Sequence, residues 1–137
     1  RWPGYLSRVE APLERVERKS GERVVRVSKA GRPSLTEFRV LRTWSRCSLV
    51  EAAPITGRTH QIRVHAAHVD HPILGDAKYA GPQAEEIAQT LDLRRLFLHA
   101  AQLRFRLGGQ LYDLSAPLDS ELETALKKAD KAMQIRG

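Results

Sequence analysis

From Thr36 to Val69 the sequence reads TEFRVLRTWSRCSLVEAAPITGRTHQIRVHAAHV, and its hydrophobic period changes partway along. Thr36–Trp44 alternates, with Phe38, Val40 and Trp44 on one side and Glu37, Arg39 and Thr43 largely on the other; Leu41 breaks the pattern. Alternation at every second residue is the mark of a half-buried strand. Cys47–Ala53 reads as a second, short apolar strand stopped by Pro54. From Thr59 to Val69 the period lengthens: Ile62, Ala66 and Val69 recur at helical spacing and form one apolar stripe, with Thr59 as the expected N-cap. At about 100° per residue, His60 and Arg63 fall roughly 60° apart and point away from that stripe, while His65 lies near its edge.

Further out, Glu22–Val27 is β-branched and short, and Ser28–Pro33 (SKAGRP) carries turn residues. After His71-Pro72 the chain leaves the helix, and Gly75, Gly81 and Pro82 mark a loop. A short helix is expected over Gln83–Leu91, and Phe97–Leu107 alternates again. Gly108-Gly109 signals a two-residue hairpin into Leu111–Leu114. Ser120-x-x-Glu123 has the form of a capping box opening a last helix, whose apolar side is Leu118, Leu122, Leu126 and Ala129. Strands, helix, hairpin, helix is the order of an α+β domain, here a mixed, mainly antiparallel sheet with flanking helices.

Its 137 residues suit a single domain over 1–137. No apolar run reaches the ~18 residues of a membrane span, so no membrane partner is expected. Cys47 is the only cysteine, which fits a reducing, cytoplasmic setting and leaves no cysteine metal site. Lys and Arg number 23 against 16 Asp and Glu, a net charge of +7, and the first third is rich in arginine. Such a balance favours a polyanion, nucleic acid first.

Thr56-Gly57-Arg58-Thr59-His60 leads into the helix with arginines at 58 and 63. Cations at a helix N-terminus oppose its dipole. Two of them there call for an anion, either a phosphate or a carboxylate from another segment. A metal site built on His60, His65, His68 and His71 is disfavoured: HExxH is absent, and His60 and His65 diverge by roughly 140° around the helix.

PITGRTHQIRVHAAHVDHPILGDAKYAG (54–81), followed by LFLHAAQLRF (96–105), resembles the C-terminal half of the catalytic domain of RluA-type pseudouridine synthases, the RluC-like branch acting on large-subunit ribosomal RNA most of all. The similarity runs from RWPGYLSRVEAPL (1–13) to the capping-box helix. It implies an isomerase that converts uridine in RNA to its carbon-linked form with no cofactor and no metal. In that family an aspartate in an H-R-L-D segment is the nucleophile, a tyrosine in a downstream strand stacks on the flipped base, and a basic residue pairs with the aspartate.

The resemblance carries the last role to Arg63, which then awaits a carboxylate from outside the 54–79 stretch. It makes Arg58, His60 and Leu98 substrate-binding candidates, Leu98 as an apolar residue lining the uracil pocket. Asp76 is expected to tie a loop, and Tyr79 to pack. H-R-L-D occurs nowhere in these 137 residues. The chain therefore reads as the C-terminal part of a longer catalytic domain, inactive alone, whose partner is the missing N-terminal half. The alternative is a non-catalytic RNA-binding module with a synthase-like surface. Lacking half its sheet, the piece is expected to associate or to be unstable alone.

Overall fold

Ten elements follow one another along the chain: β1 (Arg8–Glu10), β2 (Leu13–Glu17), β3 (Arg23–Val27), β4 (Leu35–Thr43), β5 (Ser48–Pro54), α1 (Gln61–His68), α2 (Pro82–Thr90), β6 (Gln102–Leu107), β7 (Gln110–Ser115) and α3 (Ser120–Ala132). This computed structural model describes residues 1–134, with backbone alone for 103–107 and 111–114. The alternation expected of Leu103, Phe105 and Leu107, and the last three residues of the 1–137 domain, lie outside that description. The architecture is α+β. All the described pairings are antiparallel, in a three-stranded sheet ordered β1-β4-β5 and two hairpins, β2-β3 and β6-β7. No helix among the described residues is long and apolar enough to cross a membrane.

The break at Leu41 has a structural cause. Val40 pairs with Val50 and Arg42 with Leu49, so the register shifts and Leu41 is left over in a bulge, 47% exposed. Past the bulge, Trp44 is buried and donates its indole N–H to Asp130 Oδ1 at 2.9 Å. Around Trp44 pack Ile87 and Ala88 of α2, Leu91 just past its end, and Leu122, Ala125 and Ala129 of α3. On the other side of the molecule, α1 sits between two smaller cores. Ala66 joins Trp2, Val9 and Phe38, with Ile62 and Val69 packed alongside, as the stripe requires; Val64 instead joins Leu13 and Val25.

Helix α1 is also held by polar groups. Gln61 Nε2 donates to the Leu35 carbonyl (2.8 Å) and to Thr36 Oγ1 (3.0 Å), and its Oε1 accepts from Thr56 Oγ1 and the Arg58 N–H. His65 is wholly buried between the Ala11 carbonyl (Nε2, 2.9 Å) and Thr36 Oγ1 (Nδ1, 2.7 Å). A carbonyl only accepts, so Nε2 carries the proton and Nδ1 accepts from the Thr36 hydroxyl. Both ring nitrogens are thus occupied, which removes His65 from any metal site.

Several sequence expectations need correction. The N-cap of α1 is His60, in a left-handed conformation (φ 53°) with no side-chain cap, and not Thr59, whose hydroxyl accepts from Arg15 Nε. The cap of α3 is Asp119, one residue before the expected Ser120; its carboxylate accepts from the Leu122 N–H at 3.1 Å. The strand expected from Phe97 begins only at Gln102. Upstream, the Phe97 N–H goes to the Leu74 carbonyl, and Arg95 takes the Leu96 and Leu98 carbonyls, so these groups serve a loop instead of a ladder. Strands β1 (RVE) and β2 (LERVE) carry charged residues that mask the alternation, so the hydrophobic pattern alone does not mark them.

Candidate active site

Arg63 projects from the first turn of α1 and is 20% exposed at its side chain. Its partner is Asp76, from the loop after the helix, whose side chain is completely buried. Arg63 Nε donates to Asp76 Oδ2 at 3.0 Å and Nη2 to Oδ1 at 2.8 Å, a two-pronged ion pair. The expectation that no carboxylate of the 54–79 stretch answers Arg63 is thereby corrected: thirteen residues on, the chain returns an acid to it.

Asp76 does tie its loop. Its Oδ1 also accepts the N–H groups of Lys78 (3.0 Å) and Tyr79 (3.1 Å), an Asx-type turn. Gly75 makes this possible. It has φ +82°, and a Cβ there would overlap the Arg95 carbonyl. Burial pushes the Asp76 carboxyl up, but the hydrogen bonds from Arg63, Lys78 and Tyr79 more than offset it and hold the group below the usual carboxylate range. The bond to Asp76 in turn outweighs burial and raises the Arg63 pKa, so the pair is ionised.

Tyr79 lies under the guanidinium, with the Arg63 carbon 5.0 Å from the ring centre. Its hydroxyl accepts from the Val25 N–H (3.1 Å) and meets His60 Nδ1 at 2.7 Å. The Val25 bond uses one lone pair, leaving the hydroxyl hydrogen to go to a neutral His60 Nδ1. Burial, followed by the positive charges of Arg63 and Lys78, lowers the His60 pKa and favours that neutral ring. The left-handed backbone of His60 costs on the order of 1–3 kcal/mol, and the bond to Tyr79 helps to hold it.

Of the candidates from sequence, His60 and Arg63 are therefore brought together, joined by Asp76 and Tyr79. Arg58 turns elsewhere: its Nε and Nη2 donate to the Pro33 carbonyl at 3.3 and 3.0 Å. Leu98 is half-buried in the irregular segment before β6, its N–H turned back to the Leu96 carbonyl and its own carbonyl held by Arg95; it shares no hydrogen bond with the four-residue group. The signal for the Arg63–Asp76 pair was present in the sequence as a turn-forming Gly-Asp after His71-Pro72, but nothing in the residue order gives the direction in which that loop folds back.

The comparisons with known proteins agree with this picture. The signature of the family described as RNA pseudouridylate synthase matches residues 5–68. The ribosomal large subunit pseudouridine synthase C of Yersinia pestis is 44% identical over 98% of this chain and 43% of its own length. That of Pasteurella multocida (strain Pm70) is 45% identical over 91% of this chain and 39% of its own. The chain thus spans about two fifths of the length of the curated relatives it matches. Among solved structures, human RNA pseudouridylate synthase domain containing 4 superposes with TM-score 0.66 at 27% identity, over 95% of this chain and 57% of that one. Human RNA pseudouridylate synthase domain containing 1 shares the fold with TM-score 0.70 at 24% identity, over 95% and 61%. By sequence and by fold together, the chain is similar over nearly its whole length to pseudouridine synthases of the RluA/RluC type.

Proposed function

We propose that the protein carrying this chain isomerises uridine to pseudouridine in RNA, with large-subunit ribosomal RNA as the substrate class. In this reading the 137 residues are the C-terminal part of the catalytic domain, and Arg63 pairs with a nucleophilic aspartate supplied by the N-terminal part. The observation that carries the reading is the Arg63 guanidinium, fixed on the first turn of α1 and still partly accessible. Names of relatives supply the substrate class.

The reaction breaks the bond from the sugar C1′ to uracil N1 and joins C1′ to C5; C5 gives up its proton and N1 gains one, so the base is rearranged without a net reactant. A cation beside a carboxylate lowers its pKa by about 1–3 units and keeps it available to attack. Uridine in a stacked helix must first be flipped out, costing a few kcal/mol. The excess of arginine offsets that cost through phosphate contacts. Arg58, His60 and Leu98 are the proposed substrate contacts, His60 through Nε2, the ring nitrogen not bonded to Tyr79. No step asks for a cofactor or metal, and the free thiol of Cys47 suits the cytoplasm.

The test is Arg63→Ala in the full-length protein, assayed on a large-subunit ribosomal RNA transcript by chromatography of the digested nucleosides, which separates the two isomers. Turnover is expected to fall by about 10²–10³-fold, with RNA affinity within a few-fold of wild type. Wild-type turnover in this variant removes Arg63 from the mechanism; weak binding with normal kcat makes it an RNA contact instead.

A further inference from the structure

A guanidinium has five N–H donors arranged in two forks. In Arg63 one fork, Nε and Nη2, is taken by Asp76. No other hydrogen-bond acceptor for Arg63 is seen among the described residues, so Nη1 and the outer hydrogen of Nη2 stay available. The exposure of the pair is uneven in the same sense: 20% for Arg63, none for Asp76. The acid on the occupied fork is thus enclosed, while the guanidinium keeps a share of the surface.

We infer that Asp76 is a positioning residue for the reaction: it clamps the inner fork of Arg63 so that the outer fork is aimed at the attacking aspartate. This rests on the function proposed above. The clamp is itself rigid. Asp76 Oδ1 is held by two backbone N–H groups of its own turn, Gly75 seats that turn against Arg95, and Tyr79 supports the guanidinium from one face. An arginine on the helix surface would otherwise spread over many rotamers, a freedom to be lost in each turnover. The two backbone donors draw on the Asp76 charge, which leaves more of the cation's field for a second carboxylate. One arginine can in this way serve two acids, an inner one that orients it and an outer one that it activates.

The decisive variant is Asp76→Asn in the full-length protein. Asparagine keeps an acceptor for the Lys78 and Tyr79 N–H groups, so the turn survives, but it sets an NH2 against Arg63 Nε–H. Expected are a fall in kcat of about 10–100-fold, unchanged RNA affinity, and a melting temperature below that of wild type, because the ionised Asp76 is stabilised in the fold. In an Arg63→Lys background, which forms no fork, Asp76→Asn is expected to lower kcat less than two-fold further, because a residue acting through Arg63 has nothing left to position.

Normal kcat in Asp76→Asn overturns the inference, as does an equal loss in both backgrounds. The underlying reading fails separately, by full activity in Arg63→Ala. Should Asp76→Asn not fold, nitrogen-15 NMR of the wild-type protein decides: a slowly exchanging Arg63 Nε–H supports the clamp, and exchange as fast as in a free arginine overturns it.

Discussion

At the scale of the residue, the chain uses His60 and His65 as neutral hydrogen-bonding groups. Burial holds the His65 pKa below its ordinary value, the Ala11 carbonyl only partly opposing this; His60 and His71 are shifted the same way, also chiefly by burial. The sign of the consequence is fixed. As pH falls, the unfolded chain takes up these protons first. Their contribution to stability is complete above the unfolded pKa of about 6.5 and is lost as pH falls through the folded values. Melting temperature should therefore drop between about pH 7.5 and about pH 5. His65→Leu should be less stable at the higher pH by roughly 1–3 kcal/mol, having orphaned the Ala11 carbonyl, yet show a shallower pH dependence. Parallel curves for the two proteins would mean that His65 does not titrate in this range. The sequence placed His65 near the edge of an apolar stripe. That it is fully enclosed depends on Thr36 of β4 and Ala11 of the link between β1 and β2, both distant from it in sequence, and no helical projection contains them.

At the scale of the element, the loop of residues 73–80 shows what can be read from sequence and what cannot. Its glycine and its turn are legible; its return onto Arg63 is not, since that depends on a backbone approach to Arg95 at a site twenty residues later. The same holds at 97–101, where alternation is present but the backbone serves the loop. Periodicity records which side chains alternate, and a strand needs a second strand besides. Conversely α1, β4 and the Gly108-Gly109 hairpin carry their own local signals and stand where expected, both hairpin glycines having positive φ. Gly75→Ala tests the loop as a unit. Left-handed strain alone costs about 1–2 kcal/mol, and the overlap with Arg95 adds to it. The variant should melt lower and lose kcat in the assay used for Asp76→Asn. If it melts like wild type, the close approach to Arg95 is not a constraint on the fold.

At the scale of the molecule, a chain that carries +7 and a family fold but no H-R-L-D segment should separate binding from chemistry. The isolated 137-residue chain is expected to bind RNA, with affinity falling about 0.7–0.9 log units per phosphate contact for each tenfold rise in salt, and to form no pseudouridine. Filter binding over a salt series and nucleoside chromatography check the two halves; product from this chain alone would mean that some other group of its own makes the attack. The grip of Gln61 on Leu35, Thr36, Thr56 and Arg58 has one more consequence. Apolar contacts fix how near a helix lies, but they let it roll by some degrees; directional bonds at one point of the rim select a single azimuth. Two residues along, at about 100° each, position 63 looks out almost opposite to position 61. The bearing of the guanidinium is thus inherited from an amide on the far side of the cylinder, and a volume-neutral exchange of that amide would re-aim a charge it never touches.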